Sequence, residues 1–170
     1  MKKNILKAMA LAALVLLTAT GCKKSQLAPI VKAAPKEDTL TISPIYTKAV
    51  LGVYESVYSG VGTRDMFKLE LNTQVRNNFG VMVKHVYIAL ERGTSHEFYY
   101  VPGFALTRTF YELYWLYANT AHPAALIGRT PGSSDIIKEI RMVSMPKYLA
   151  ENTNVDFRNY EAVARYYGLK

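Results

Sequence analysis

The sequence predicts an α+β domain, a small antiparallel sheet of about three to four strands packed with three to four helices. Three observations carry this expectation. Residues 66 to 76 alternate apolar and polar with period two, the pattern of a strand with one face on a core and one in water. Residues 48 to 60, 134 to 143 and 156 to 167 place apolar side chains at three- and four-residue intervals, the spacing of one helix face. Turn-forming clusters separate these stretches, as Asn77-Asn78-Phe79-Gly80 and Pro102-Gly103 do.

The first 24 residues, MKKNILKAMALAALVLLTATGCKK, stand apart from the rest. Lys2, Lys3 and Lys7 precede an uncharged apolar run from Ala8 to Leu17, and small residues lead to Cys22, the only cysteine of the chain. This is the layout of a secretory leader. Its apolar run is shorter than the roughly 20 residues a helix needs to span a bilayer. The ending Ala19-Thr20-Gly21-Cys22 resembles the lipobox of bacterial lipoprotein signal peptides, with Ala19 where leucine is usual. The resemblance covers residues 1 to 22 only. It implies cleavage before Cys22 and acylation, palmitate included, of that residue's sulfur and freed amine. It also implies an exported protein held on a membrane. No aspartate follows the cysteine, which in lipoproteins of this type points to the outer membrane, with the domain facing the periplasm or the surface. The competing reading is an ordinary leader cut after Ala19 or Gly21, which leaves a free thiol.

The expected organisation is a leader over 1–21, an acylated Cys22 with a tether over 22–47, and one domain over 48–170. Pro29, Pro35 and Pro44 among lysines and alanines suit an extended tether, and Thr39 to Ile42 alternates as an edge strand would. Val50, Val53, Tyr54, Val57 and Tyr58 line up on one face of a helix from Lys48, with Glu55 and Ser56 elsewhere and Gly60 as its stop. Met66 to Arg76, Val81 to Leu90 and Glu97 to Val101 read as three consecutive strands of a meander.

In Thr107 to Asn119, Thr109 and Glu112 have the spacing of a capping box and predict an aromatic helix. The same aromatics suit a fourth strand, so both assignments stay open. His122 to Ser134 reads as a connection. Ser134-Asp135 caps a helix through Val143. Asp156 caps the last one, with Phe157, Tyr160, Ala164 and Tyr167 on one stripe and Gly168 at its stop.

Composition narrows the function classes. Three of the 21 basic residues lie in the leader, so 18 remain against 13 acidic ones. They are interspersed, without the basic stripe of a nucleic-acid site. The three histidines, His85, His96 and His122, are far apart. No HExxH, CxxC or GxSxG spacing occurs, and no cofactor, metal or catalytic set is readable. Thirteen tyrosines and one tryptophan suit a recognition face.

The expected function is therefore that of a lipid-anchored envelope protein with a binding or assembly role among envelope proteins. A secretion, pilus or conjugation apparatus, or exclusion of phage or plasmids, would use such a device. The candidate face is Tyr99, Tyr100, Tyr111, Tyr114 and Trp115, and Cys22 is the lipidation site. The alternative is an envelope hydrolase or small-ligand binder centred on His96 and Glu97, with Tyr99 nearby.

Overall fold

A computed structural model describes residues 39–91, 97–117 and 122–169 of the chain. The fold is mostly β, which corrects the α+β expectation. Among the described residues ten strands form two five-stranded sheets, and the three helices are short. The strands are β1 (Leu40–Ile42), β2 (Tyr46–Val50), β3 (Val53–Gly62), β4 (Met66–Glu70), β5 (Met82–Leu90), β6 (Phe98–Val101), β7 (Gly103–Phe104), β8 (Phe110–Leu116), β9 (Ala124–Arg129) and β10 (Ile137–Pro146). The helices are α1 (Thr73–Asn77), α2 (Lys147–Glu151) and α3 (Tyr160–Tyr167).

One sheet, here the outer sheet, has the order β1-β4-β9-β8-β7; the other, the middle sheet, has the order β2-β3-β10-β5-β6. Every pairing is antiparallel except β1 with β4. The main core lies between the sheets, with Phe67, Leu69, Tyr111 and Ile127 from the outer sheet and Tyr58, Val86, Ile88, Ile140 and Met142 from the middle sheet. A second core lies on the far side of the middle sheet. There Val53, Tyr87, Val143 and Met145 meet Tyr160, Val163 and Ala164 of α3. The layers therefore run sheet, sheet, helix.

This layering explains the misread helices. β3 and β10 are buried on both faces, so neither shows the in-out alternation of a half-exposed strand. The residues expected to form a helix over Lys48–Gly60 instead form β2, a turn and most of β3, with Glu55 and Ser56 fully buried. Those expected to form a helix over Ser134–Val143 lead into β10. The connection expected over His122–Ser134 contains β9, and Phe110–Leu116 is a strand, not a helix. The expected long strand at Met66 ends at Glu70, because Asn72 caps α1 by accepting from the Val75 amide at 3.0 Å.

The three-strand meander is also corrected. β5 and β6 do pair, but β4 lies in the other sheet. β1 is an edge strand, as Thr39 to Ile42 suggested. The last helix begins at Asn159, whose side chain accepts from the Ala162 amide at 3.1 Å, three residues beyond Asp156. Gly168 ends it at φ 66°, and Phe157, Tyr160, Ala164 and Tyr167 all pack into the second core. Among the described residues no helix is long and apolar enough to cross a membrane.

Candidate binding face

The two sheets differ in what covers their outward faces. The middle sheet carries α3; among the described residues no helix covers the outer sheet's far face. Strand register places that face's residues in rows. Met66, Gly128 and Glu112 form one row, Lys68, Leu126 and Tyr114 the next, and Glu70, Ala124 and Leu116 the third. The alternate residues Phe67, Leu69, Ala125 and Ile127 point into the main core, which fixes the outward set.

Along the middle column, β9 contributes Gly128 and Ala124, which rise little above the backbone, with the larger Leu126 between them; all three are buried. Strands lie ~4.8 Å apart, so the β4 and β8 backbones flank β9 about 10 Å from each other, and the Glu112 and Tyr114 side chains of β8 lean in over Gly128. The result is a trough interrupted at Leu126. At its Gly128 end a cavity of about 440 Å³ is lined by Met66, Phe110, Glu112 and Gly128, with Asp65, Arg129, Thr130 and Pro131 at its rim. At its Ala124 end a second cavity of about 340 Å³ is lined by Lys68, Glu70, Leu71, Arg76, His122, Pro123 and Ala124. Leu126 separates the two.

Several of the lining residues are held in place. Tyr114 donates its hydroxyl hydrogen to the Glu112 carboxylate, and that bond raises the phenol pKa above its ordinary value. A side chain on Gly128 would touch Glu112 at 3.8 Å and the Tyr114 ring at 3.9 Å. These are ordinary van der Waals distances, so both side chains already lie over the floor at Gly128. Phe110 packs against Phe104 with ring centroids 4.7 Å apart, and Phe104 is exposed. Ser43 donates to Glu70 at 2.5 Å, and Arg76 donates to His122 Nδ1 at 3.2 Å.

A buried polar cluster braces the Gly128 end from inside. Tyr111 donates to Asp135 Oδ2 at 2.8 Å, and Thr107 donates to the same oxygen at 2.6 Å. Arg129 Nη1 donates to the Asp135 carbonyl, while its Nε donates to Asp65 at 3.1 Å. Burial, with the Asp135 bond, raises the Tyr111 pKa. These bonds tie the β7–β8 hairpin, the start of β4 and the loop before β10 to one point.

The five expected recognition residues do not form one face. Tyr99 and Tyr100 are on β6 of the middle sheet, where Tyr99 packs on the main core and Tyr100 on the second. Tyr111, Tyr114 and Trp115 are on β8 of the outer sheet. Tyr111 is fully buried and Trp115 packs on the main core, so Tyr114 alone of the five lines the outward trough. Glu97 accepts from the Tyr99 hydroxyl at 2.9 Å. His96, the other half of the expected acid–base pair, lies outside the described residues, as does Cys22.

No protein family, curated protein or solved structure matches the chain. The trough itself therefore carries the functional argument. Its residues Lys68, Phe110, Glu112 and Gly128 escaped the sequence reading. Their signal was the alternation Phe110, Glu112, Tyr114, which becomes visible only when β8 is read as a strand. Among the described residues no three His, Cys, Asp or Glu side chains gather as metal ligands would.

Proposed function

We propose that this protein is a lipid-anchored module of the bacterial cell envelope with a binding role, tethered through Cys22 and engaging its ligand with the outward face of the outer sheet. The observation that carries the binding role is the asymmetry of the sandwich. One sheet is covered by α3. The other presents two cavities, one at each end of β9, lined by aromatic, charged and small side chains and separated by Leu126. Concave surfaces that mix apolar area with a few fixed polar groups are where ligands bind. The leader supports the anchor. A tether between lipid and domain would let the trough reach beyond the headgroups.

The test is in-cell photocrosslinking with a photoreactive amino acid at position 114 or, on α3, at position 166. The reading expects an adduct of higher mass from position 114 and none from 166, found in the membrane fraction. Cys22→Ser should move the protein to the soluble fraction. Adducts from position 166 alone, or none from 114, overturn the assignment of the face; an unmoved Cys22→Ser protein overturns the anchor.

A further inference from the structure

We propose that the tip of the β7–β8 hairpin is a bilayer-docking element, with Phe104, Leu106 and the stem of Arg108 entering the interface of the membrane that holds the lipid anchor. The inference rests on the anchored reading above and names the surface that the domain turns towards the membrane.

The hairpin presents its side chains by alternation. Phe104 is 70% exposed and Leu106 is 69% exposed, and Arg108 is exposed beside them. Between them Ala105 and Thr109 are buried and Thr107 is half-buried. Backbone bonds close the tip, from the Ala105 amide to the Thr109 carbonyl at 3.1 Å and from the Arg108 amide to the Ala105 carbonyl at 2.9 Å. Side-chain bonds fasten it to the loop before β10. Thr107 donates to Asp135 at 2.6 Å, and the Thr109 and Ser133 hydroxyls meet at 2.8 Å. A tied loop thus holds two large apolar side chains outward.

Strand register shows where this tip lies. β1 runs parallel to β4 with Leu40 opposite Phe67, so the chain comes into the outer sheet at its Met66 end. Met66, Gly128 and Glu112 share a row at that same end. Phe110 is two residues further out along β8 and pairs with Phe104, and Leu106 and Arg108 lie in the turn beyond. The tip therefore projects past the level of Thr39, by ~7 Å at Phe104. Thr39 follows Cys22 by 17 positions, which keeps the tip at high local concentration beside the bilayer.

Size and charge name the occupant. Two apolar side chains and an arginine stem fall far short of the roughly 800 Å² that each partner gives to a stable protein interface. They suffice as a second hold beside an acyl chain, because weak membrane signals act together. The exposed charges at this end have both signs, Arg64, Arg108 and Lys138 with Asp65, Glu91 and Glu97. The attraction is therefore apolar, with the Arg108 methylenes along the tip and its head among the headgroups. Docked by this end, β9 rises from the bilayer, and Ala124 stands about 13 Å beyond Gly128.

The experiment uses the purified full-length protein in vesicles of phosphatidylethanolamine and phosphatidylglycerol, with a photoreactive amino acid at position 104, 148 or 166. Tyr148 and Tyr166 are also exposed but lie on α2 and α3, and Tyr148 follows the far end of β10. We expect lipid adducts from position 104 and roughly tenfold fewer from 148 and 166. Leu106→Asp should cut the adducts from 104 by roughly fivefold with the melting transition unchanged. Salt of about 0.5 M should leave them within about twofold, because screening weakens ionic and not apolar attraction. The inference is overturned if position 104 gives no lipid adduct, gives a chain-to-chain adduct instead, or labels no more than 148 and 166. It is also overturned if high salt abolishes the adducts or if a folded Leu106→Asp protein labels like wild type. A protein that floats with its vesicles yet gives no adduct from 104 loses the docking tip and keeps the anchor. Adducts from 104 on a protein without acyl mass would remove the anchor and keep the tip.

Discussion

His85 is the buried histidine of the second core. Its ring stacks on Phe157 at 4.3 Å, Nδ1 meets the Tyr100 hydroxyl at 3.2 Å, and Nε2 is buried without a partner. Burial lowers its pKa from 6.5 to about 4. The unfolded chain therefore binds the proton more readily than the folded one between these values. Stability is full above pH 6.5 and falls as the pH drops through 4, by roughly 3 kcal/mol in all. Urea titrations across pH 4 to 7 should show this slope in wild type and a flatter one in His85→Leu. Equal slopes would remove His85 as the cause.

Two backbone positions give further tests at this scale. A Cβ on Gly103 would stand 2.7 Å from the Tyr100 carbonyl oxygen, which no rotamer change can relieve. Gly103→Ala should cost about 1–3 kcal/mol of stability in denaturant titration. Leu51 has φ 49° and Gly52 φ 84° in the two-residue turn between β2 and β3. Leucine is strained there and almost wholly exposed. Leu51→Asn should stabilise the protein by about 0.5–1 kcal/mol, since asparagine tolerates the left-handed region.

At the scale of elements, α3 is fastened by a charge network as well as by apolar packing. Arg141 on β10 donates from Nη1 to Glu55 on β3 at 3.4 Å and to the Tyr160 hydroxyl, and from Nε to Glu139. Tyr160 donates to Glu55 at 2.5 Å. Burial works against the Arg141 charge, but its bonds to Glu139 and Tyr160 outweigh it and hold the pKa above the ordinary value. Glu55 is fully buried, and its second oxygen has no partner. Arg141→Met should therefore destabilise by roughly 3 kcal/mol, because the carboxylate loses its buried counter-charge. Adding Glu55→Gln should recover part of that loss. A double variant whose cost equals the sum of the singles would show that the pair is not coupled.

The same elements show what could be read in the sequence. β5 was legible because seven of its nine residues, all but Lys84 and His85, are apolar between turn signals, and α3 because its apolar stripe and Gly168 agree. β3 and β10 were illegible because apolar residues fill both faces of a middle-layer strand, and such filling mimics helix spacing. The Leu51-Gly52 turn hid the β2–β3 hairpin, since a leucine stands where Asn or Gly would announce it. β9 was missed because Ala124, Ala125 and Gly128 are weak strand formers. Yet Gly128 and Ala124 line the two cavities, so the feature that obscured the strand is the one the candidate site depends on.

For the whole molecule, sheet, sheet and helix divide the work. The main core joins the sheets, α3 covers the middle sheet, and among the described residues no helix covers the far face of the outer sheet. The most direct test is carbene footprinting of the full-length protein in intact envelopes and after detergent purification. The account predicts that labelling of Lys68, Phe110 and Tyr114 falls in the envelope, while Tyr148 and Tyr166 label equally in both. Protection confined to Tyr148 and Tyr166, or an unchanged trough, would contradict it.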